Sequence, residues 1–256
     1  MPKHFLSITD FSEKEILLIL KKAIALKKSK RANTLLKNKT LVMIFEKPSL
    51  RTRISFEIGM TQFGGHAIYL GPSDISLGKR ESVSDIAKVT SSMADIIMAR
   101  TFSHQSVTEL AQHASVPVIN GLSDMEHPCQ ILADFQTILE KKGKLKGLTL
   151  SFVGDCENNI VHSLALGSAI FGMNFQCAAP KGYTMNKEVV KKAKQIAAKT
   201  GVTISENETP QQAVKNADVV ITDKMYLTWG NVKAAVIADA RSQSGHPAKS
   251  RSREAR

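Results

Sequence analysis

Short apolar segments alternate with amphipathic segments along most of this 256-residue chain. The apolar segments have the length of strands, and the amphipathic segments have the spacing of helices. Strict alternation of this kind favours parallel sheets with helices on both faces. Two such series follow each other, with one long helix between them. The sequence therefore predicts an α/β protein of two doubly wound parallel-sheet domains with a cleft between them.

The pattern also predicts where the elements and regions lie. The first series has strands at 41–45, 66–70, 95–100 and 116–120, and helices at 53–63, 82–93, 106–114 and 127–141. The second has strands at 148–153, 174–179, 202–205 and 218–222, and helices at 158–171, 186–199 and 210–216. The alternation fails after Asp223, and the Ser- and Arg-rich segment that follows is predicted to be a disordered basic tail. We expect three regions, at 1–141, 142–223 and 224–256.

The formal net charge of +12 is unevenly distributed. Residues 224–256 hold seven Lys and Arg against two acidic residues, so they carry +5 and leave +7 for the rest. A basic surface can bind nucleic acid, membranes or anionic small molecules. The tail is too short to be a convincing nucleic-acid-binding arm, and an anionic substrate suits the remainder. We therefore expect neither a nucleic-acid partner nor a membrane partner.

Cysteine use and the apolar runs narrow the class of protein further. Three cysteines, none in a C-x-x-C pair, argue against a disulfide framework and against a zinc site. No apolar run reaches the ~18 residues of a membrane span. The sequence begins without the apolar or Arg- and Ser-rich leader of an exported or organelle protein. The expectation is a cytoplasmic protein.

The segment 46–53, with sequence EKPSLRTR, lies between a predicted strand and a predicted helix. A helix N-terminus offers free backbone N–H groups and the positive end of the helix dipole. Ser49 and Thr52 add hydroxyl donors, and Arg51 and Arg53 add guanidinium groups that suit phosphate oxygens. The segment is typical of a phosphate-binding helix start. An ordinary capped helix with surface arginines is the alternative.

Three further positions follow predicted strands. His127 and Gln130 open the long helix and share one face, so they could bond a carbonyl and an amide; a helix-capping His is the alternative. Arg100 ends a strand, where ligands of open α/β sheets gather, although a surface charge is the alternative. Asn158 and Asn159 follow Gly154-Asp155 without a G-x-G-x-x-G fingerprint, which argues against a dinucleotide. One of the two asparagines could cap the helix and the other could hold a polar ligand.

Two of these segments resemble signatures of ornithine carbamoyltransferases. Residues 45–57, FEKPSLRTRISFE, resemble the F-E-K-P-S-x-R-T-R-x-S-F-E signature, and residues 127–134, HPCQILAD, resemble H-P-x-Q-x-L-A-D. Aspartate carbamoyltransferases share much of the first motif but usually diverge after the Gln of the second. Gly154-Asp155, Asn158-Asn159 and residues 219–223 follow in family order. The resemblance runs from about His4 to Asp223.

The resemblance implies transfer of the carbamoyl group of carbamoyl phosphate to the δ-amine of L-ornithine, giving citrulline and phosphate. It also implies a homotrimer with active sites near the subunit boundaries, and an enzyme that needs no metal or organic cofactor. Ser49, Leu50 (through its backbone), Arg51 and Thr52 would hold the phosphate. The carbamoyl group would be held by Arg100, His127 and Gln130, of which Arg100 and His127 would stabilise the oxyanion. Asn159 and Asp223 match positions that hold the amino and carboxylate ends of ornithine.

The sequence departs from the family beyond Asp223. Relatives continue with T-W-x-S-M-G and later with an H-C-L-P loop, whereas here Asp223 is followed by KMYLTWG and no H-C-L-P occurs. We therefore expect an incomplete second domain, produced by truncation or by a change of reading frame after Asp223, which sequencing the gene would test. Ser76 stands where many relatives place Gln or His, and no role is assigned to it. A catalytically impaired remnant that only binds carbamoyl phosphate is the alternative function.

Overall fold

The computed structural model describes residues 2–29 and 34–222. A short 3-10 helix, Ile8–Asp10, comes first. The first sheet contains β1 (Thr40–Phe45), β2 (His66–Leu70), β3 (Ile96–Arg100) and β4 (Val118–Leu122). Five helices belong to this half: α1 (Glu13–Lys28), α2 (Leu50–Gln62), α3 (Val83–Met93), α4 (His104–His113) and α5 (Pro128–Lys142).

The second half repeats the alternation of strands and helices. Its strands are β5 (Thr149–Val153), β6 (Asn174–Ala178), β7 (Ile204–Asn207) and β8 (Val219–Ile221). Its helices are α6 (Asn159–Ile170), α7 (Lys187–Thr200) and α8 (Pro210–Val214).

Each sheet has four parallel strands whose order reverses once. In the first sheet the order is β2-β1-β3-β4, so the chain moves outward from β1 to β2 and then crosses back to β3. In the second the order is β7-β6-β5-β8, and the chain crosses back to place β8 beside β5. Such a reversal leaves a crevice at the carboxyl ends of the two strands that flank it. The predicted pair of parallel α/β sheets is confirmed.

Strand β1 shows why the first sheet carries helices on both faces. Val42 and Ile44 belong to one apolar cluster, with residues of α3 and α4. Leu41, Met43 and Phe45 belong to another, with Met60 of α2. Successive side chains of a strand point to opposite faces, so the continuous apolar run is explained by burial on both sides.

The two halves share one apolar core. Ile8, Ile16 and Leu20 from the N-terminal segment join Phe135 of α5 in a buried cluster with side chains of the second half. Helices α5 and α6 pack so closely that a Cβ at Gly167 would lie 2.4 Å from Cε2 of Phe135. This packing fixes the angle between the sheets and so the shape of the cleft between them.

Several predicted boundaries are displaced, and one helix was not predicted. Helix α2 begins at Leu50 rather than at 53, because the Ser49 side chain accepts a hydrogen bond from the N–H of Thr52 and starts the helix there. Strand β4 covers Val118–Leu122 rather than 116–120. The predicted elements do not include α1, although the capping box of Ser12 and Glu15 marks its start.

Within the described ranges, no helix is both long enough and apolar enough to cross a membrane. The predicted basic tail at 224–256 and the predicted ornithine-binding Asp223 lie outside the described residues. The division at residue 141 falls one residue before the end of α5, and it stays a prediction.

Candidate active site

A cavity of about 850 Å³ lies where the order-reversal points of the two sheets face each other. It is lined by residues at or just after the carboxyl ends of β1, β3, β4, β5 and β8, and by the first two turns of α5. Among the lining residues are Ser49, Arg51, Thr52, Arg100, His127, Gln130, Asp134, Asp155, Asn158, Asn159 and Thr222. Both halves of the chain therefore supply polar groups to one space.

The start of α2 forms one wall of the cavity. Ser49 caps the helix, and its hydroxyl also donates to Oγ1 of Thr52 at 3.0 Å. The N–H groups of Leu50 and Arg51 belong to the first turn, where a helix has no internal acceptor for them. Leu50 is 74% exposed and is not among the residues that line the cavity, so its expected backbone contact with a phosphate stays a prediction. Together these groups provide hydroxyl, N–H and guanidinium donors that could bind an anion.

Arg53 is not among the residues that line the cavity, so its expected contribution to phosphate binding stays a prediction. Its Nε bonds Oε1 of Glu57 at 2.9 Å, one turn further along α2. Its guanidinium carbon also lies 4.0 Å from the ring centroid of Tyr69. These contacts hold Arg53 against the helix and β2, while Arg51 lines the cavity.

Arg100 is the last residue of β3 and lies at the base of the same wall. Its Nη1 donates to Oγ1 of Thr52 at 3.4 Å, which is a long hydrogen bond. Its Nε is buried and has no hydrogen-bond partner among the described residues. Burial lowers the pKa of the Arg100 guanidinium, and the charge of Arg51 acts in the same direction. A bound anion would supply an acceptor to the Nε of Arg100 and would offset the positive charges of Arg51 and Arg100.

His127 lies immediately before α5, but its side chain does not cap the helix. Its backbone N–H donates to Oγ of Ser163 at 3.0 Å, whereas its Nδ1 is buried and finds no partner within residues 2–29 and 34–222. Burial, followed by the nearby charge of Arg100, lowers the pKa of His127 to about 4. The imidazole is therefore neutral near pH 7. We assign its proton to Nε2, because an unpaired acceptor at Nδ1 is more readily tolerated than an unpaired N–H.

Gln130 and Cys129 follow in the first turn of α5. The Nε2 of Gln130 donates to Oδ1 of Asp134 at 3.0 Å. Burial raises the pKa of Asp134, while this hydrogen bond acts in the opposite direction. Burial raises the pKa of the Cys129 thiol to about 12, and its Sγ lies 3.5 Å from the carbonyl oxygen of Asn120. A thiol with so high a pKa is not a nucleophile near neutral pH.

The second half contributes the start of α6. Asn158 is the helix cap, since its Oδ1 accepts from the N–H groups of Ile160 and Val161. Asn159 does not cap the helix; its Nδ2 donates to the carbonyl oxygen of Ser123 in the first half. Asn159 therefore holds the two sides of the cleft in register while it lines the cavity.

The cavity brings together most of the positions that the sequence predicts. Seven of them line it: Ser49, Arg51, Thr52, Arg100, His127, Gln130 and Asn159. Asp134 and Asp155 also line the cavity, and neither was expected from the sequence to have a role there. The spacing of four residues between Gln130 and Asp134 on a helix was the signal for the first of these. Within the described residues, no group of three or more His, Cys, Asp or Glu side chains could hold a metal ion.

Comparison with known proteins places two family models on the chain. The model of the aspartate/ornithine carbamoyltransferase carbamoyl-P binding domain matches residues 3–140, and that of the Asp/Orn binding domain matches residues 146–239. An ornithine carbamoyltransferase of Anoxybacillus flavithermus is 51% identical over 224 residues, which cover 86% of this chain and 71% of that protein. One of Thermococcus kodakarensis is 47% identical over 242 residues, covering 93% and 75%.

Solved structures agree with the sequence comparison. The structure of ornithine carbamoyltransferase from Pyrococcus furiosus superposes with a TM-score of 0.85 and 43% sequence identity. The superposition covers 94% of this chain and 76% of that one.

Proposed function

Since this chain belongs to the aspartate/ornithine carbamoyltransferase family, we propose that it transfers the carbamoyl group of carbamoyl phosphate to the δ-amine of L-ornithine. The products are citrulline and phosphate, and the reaction belongs to arginine metabolism. One observation carries the proposal. Arg100 and His127 line the cavity beside a helix N-terminus, and each holds a buried polar atom that has no partner in the part of the chain that the structure describes.

The phosphate of carbamoyl phosphate binds at the start of α2 in this proposal. Ser49 and Thr52 offer hydroxyl groups, Arg51 offers its guanidinium, and Leu50 offers its backbone N–H. The long hydrogen bond from Arg100 to Thr52 supports this arrangement, since it places a second guanidinium beside the helix start. Two positive charges and the helix dipole then face the dianionic phosphate.

The carbonyl oxygen of the substrate faces Arg100 and His127. The neutral δ-amine attacks the carbonyl carbon, a C–N bond forms, and the carbonyl oxygen gains negative charge. Donors from the Arg100 guanidinium and the His127 imidazole stabilise this oxyanion. The bond from carbon to the phosphate oxygen then breaks, phosphate leaves with the electron pair, and the nitrogen gives up a proton. Gln130 binds the carbamoyl NH₂ group, and orientation by the site supplies much of the remaining acceleration.

The second substrate binds on the opposite wall, in the proposed ornithine-binding domain at 142–223. Asn159 and Asp223 hold the amino and carboxylate ends of ornithine. The location of Asn159 in the cavity supports its share of this role, while Asp223 lies outside the described residues. The proposed domain at 1–141 binds carbamoyl phosphate.

A chain that only binds carbamoyl phosphate is the second candidate. Asp223 is followed by KMYLTWG where relatives carry T-W-x-S-M-G. This difference favours the binding-only candidate, because the Ser-Met pair of that motif contacts ornithine in the family that the sequence resembles. The proposed phosphate site at the start of α2 is the same in both candidates. They differ only in turnover.

We propose a homotrimer in the cytoplasm as the assembly and location. Leu50, Ile54 and Ile58 form an apolar stripe along α2, and they are 74%, 43% and 49% exposed. Exposed apolar stripes beside a ligand site suit a contact with another copy of the chain. The three cysteines are free thiols, as a reducing compartment would keep them. Mass photometry would test the assembly, with a species of three chains expected and a monomer contradicting it.

The experiment for the reaction is citrulline formation by the purified 256-residue chain. Carbamoyl phosphate is supplied with ornithine, and with aspartate in a matched control. Turnover with ornithine that is lost in a His127→Ala variant supports the proposed reaction. Turnover with aspartate instead would contradict it. Absence of turnover together with a higher Tm in carbamoyl phosphate would favour the binding-only candidate, and absence of both signals would overturn both candidates.

A further inference from the structure

We propose that Asp134 fixes the orientation of the Gln130 amide and so makes the site select a carbamoyl group over an acyl group of the same shape. Asp134 is then a positioning residue, since it acts through Gln130. The inference rests on the proposed function, because it concerns how the same cavity recognises carbamoyl phosphate.

The geometry of α5 carries the first step. Gln130 and Asp134 lie one helical turn apart, and both line the cavity. Nε2 of Gln130 donates to Oδ1 of Asp134 at 3.0 Å. An ionised carboxylate can only accept hydrogen bonds, so it can pair with the NH₂ end of the amide and not with the carbonyl end. The contact therefore decides which way the amide is turned.

The consequence is an acceptor left for a ligand. With Nε2 bonded to Asp134, the acceptor of the side chain is Oε1, and no described residue donates a hydrogen bond to it. Arg100 and the neutral His127 supply donors to the same cavity. A fixed acceptor among donors matches a ligand that presents a carbonyl oxygen on one side and an NH₂ group on the other.

The chemistry of the substrate gives the selection. Carbamoyl phosphate and acetyl phosphate have similar size and charge, and they differ in an NH₂ group against a methyl group. Gln130 is exposed to solvent, and a ligand in the cavity would cover it. A methyl group would then leave Oε1 without a donor and shielded from water, which is a strong basis for rejecting a ligand. An amide free to turn could present its own NH₂ group instead and would discriminate less.

An ordinary surface pair is the simpler explanation of the contact. Gln and Asp four residues apart stabilise helices through such hydrogen bonds without any ligand. In that case removal of Asp134 would change the Tm and leave the choice of ligand unchanged. The ratio of two ligand affinities therefore separates the two explanations.

The test uses two stable analogues in calorimetric titrations of the full chain. Phosphonoacetamide presents an NH₂ group, and 2-oxopropylphosphonate presents a methyl group at the same position. We expect the unmodified chain to prefer the amide, and Asp134→Ala to reduce that preference about tenfold, the factor expected for one hydrogen bond. Asp134→Asn should lie between the two, because its side-chain oxygen can still accept from Gln130 while its NH₂ group can instead bond Oε1.

Gln130→Ala is the matched control. It should reduce the preference as far as Asp134→Ala does, and the double variant should be no worse than Gln130→Ala alone. If both Asp134 variants remain folded and retain the full preference, the inference is overturned while the proposed function stands. If the unmodified chain binds neither analogue, the proposed function fails and the inference fails with it. The Tm of each variant is measured in parallel.

Discussion

Helices α5 and α6 both begin at the cleft, yet their first residues are used differently. The Asn158 side chain accepts from two backbone N–H groups of α6 and donates to the carbonyl oxygen of Asp155. The His127 side chain makes no such bond, and its buried Nδ1 has no partner among the residues that the structure describes. The hydrogen-bonding capacity of Asn158 serves the fold, whereas that of His127 is available to a ligand.

Local structure explains how α5 begins without a side-chain cap. Pro128 occupies the first turn, where its missing N–H removes one donor that would otherwise need an acceptor. The backbone N–H of His127 is satisfied by Ser163 of the second half. Since the helix start is satisfied by other groups, the imidazole need not contribute to it. The comparison predicts that changes at His127 affect chemistry and that changes at Asn158 affect stability.

The largest effect is expected from His127→Ala. Removal of one oxyanion donor lowers kcat by about 10²–10³ in well-studied enzymes, and a fall of that size is expected in citrulline formation. The Tm should change little, because the side chain makes no hydrogen bond within the described structure. A large fall in Tm with unchanged kcat per folded chain would contradict the comparison.

Arg100→Met tests the same contrast between ligand binding and stability, at a residue with a buried charge. Loss of hydrogen bonds to a charged group should weaken carbamoyl phosphate binding by about 1.5–3 kcal/mol, or roughly 10- to 150-fold. Stability should stay the same or increase, because burial disfavours the Arg100 charge. Titration calorimetry measures the affinity and thermal unfolding measures the stability. Arg53→Met is the control, since Arg53 pairs with Glu57 and should leave the affinity unchanged.

Asn158→Ala should give the opposite result to His127→Ala. Loss of a side-chain helix cap costs about 1 kcal/mol of stability, within a range of roughly 0.5–2. Denaturant unfolding would measure this decrease, and the affinity for carbamoyl phosphate should change less than in Arg100→Met. An affinity loss as large as that of Arg100→Met would mean that Asn158 serves the ligand rather than the helix.

The smallest effect concerns Glu126, which precedes His127 and is 6% exposed. Its Oε2 accepts from the N–H of Ile8 and the hydroxyl of Ser163. Burial raises the pKa of Glu126 above its usual value near 4.5, so the charged form opposes folding. Its stabilising contribution is present below the unfolded-state pKa and is lost as pH rises through the raised folded-state pKa.

Glu126→Gln removes this titration. The Tm of the variant minus that of the unmodified chain should therefore increase as pH rises from about 4.5 towards neutrality and then level off. A difference that decreases over this range would show that the carboxylate charge stabilises the fold.

The sequence carried much of the fold but less of the site. Continuous apolar strands such as β1 indicate burial on both faces, and alternation indicates parallel pairing. The order of the strands is set by tertiary packing, so local patterns could not place the reversal points that form the cavity. Helix α1 was missed although Ser12 and Glu15 carry its capping signal.

The site residues show the same limit. The 127–134 motif identified His127, and its position at the end of a strand identified Arg100. Their unpaired buried atoms depend on contacts between distant segments of the described chain. The sequence could not show that Arg53 lies away from the cavity while Arg51 lines it, because Tyr69, which Arg53 contacts, lies on β2 and not on α2. Asp134 was within the quoted motif, and only its contact with Gln130 in the cavity suggested a role.

A crystal structure of the 256-residue chain with phosphonoacetamide bound would test the central claim most directly. We expect the phosphonate group of the ligand to bind at the start of α2, beside Ser49 and Arg51, and its amide oxygen to lie within hydrogen-bond distance of Arg100 and His127. A ligand bound in the cleft with its amide oxygen away from both side chains would contradict the claim that they are reserved for the carbamoyl group.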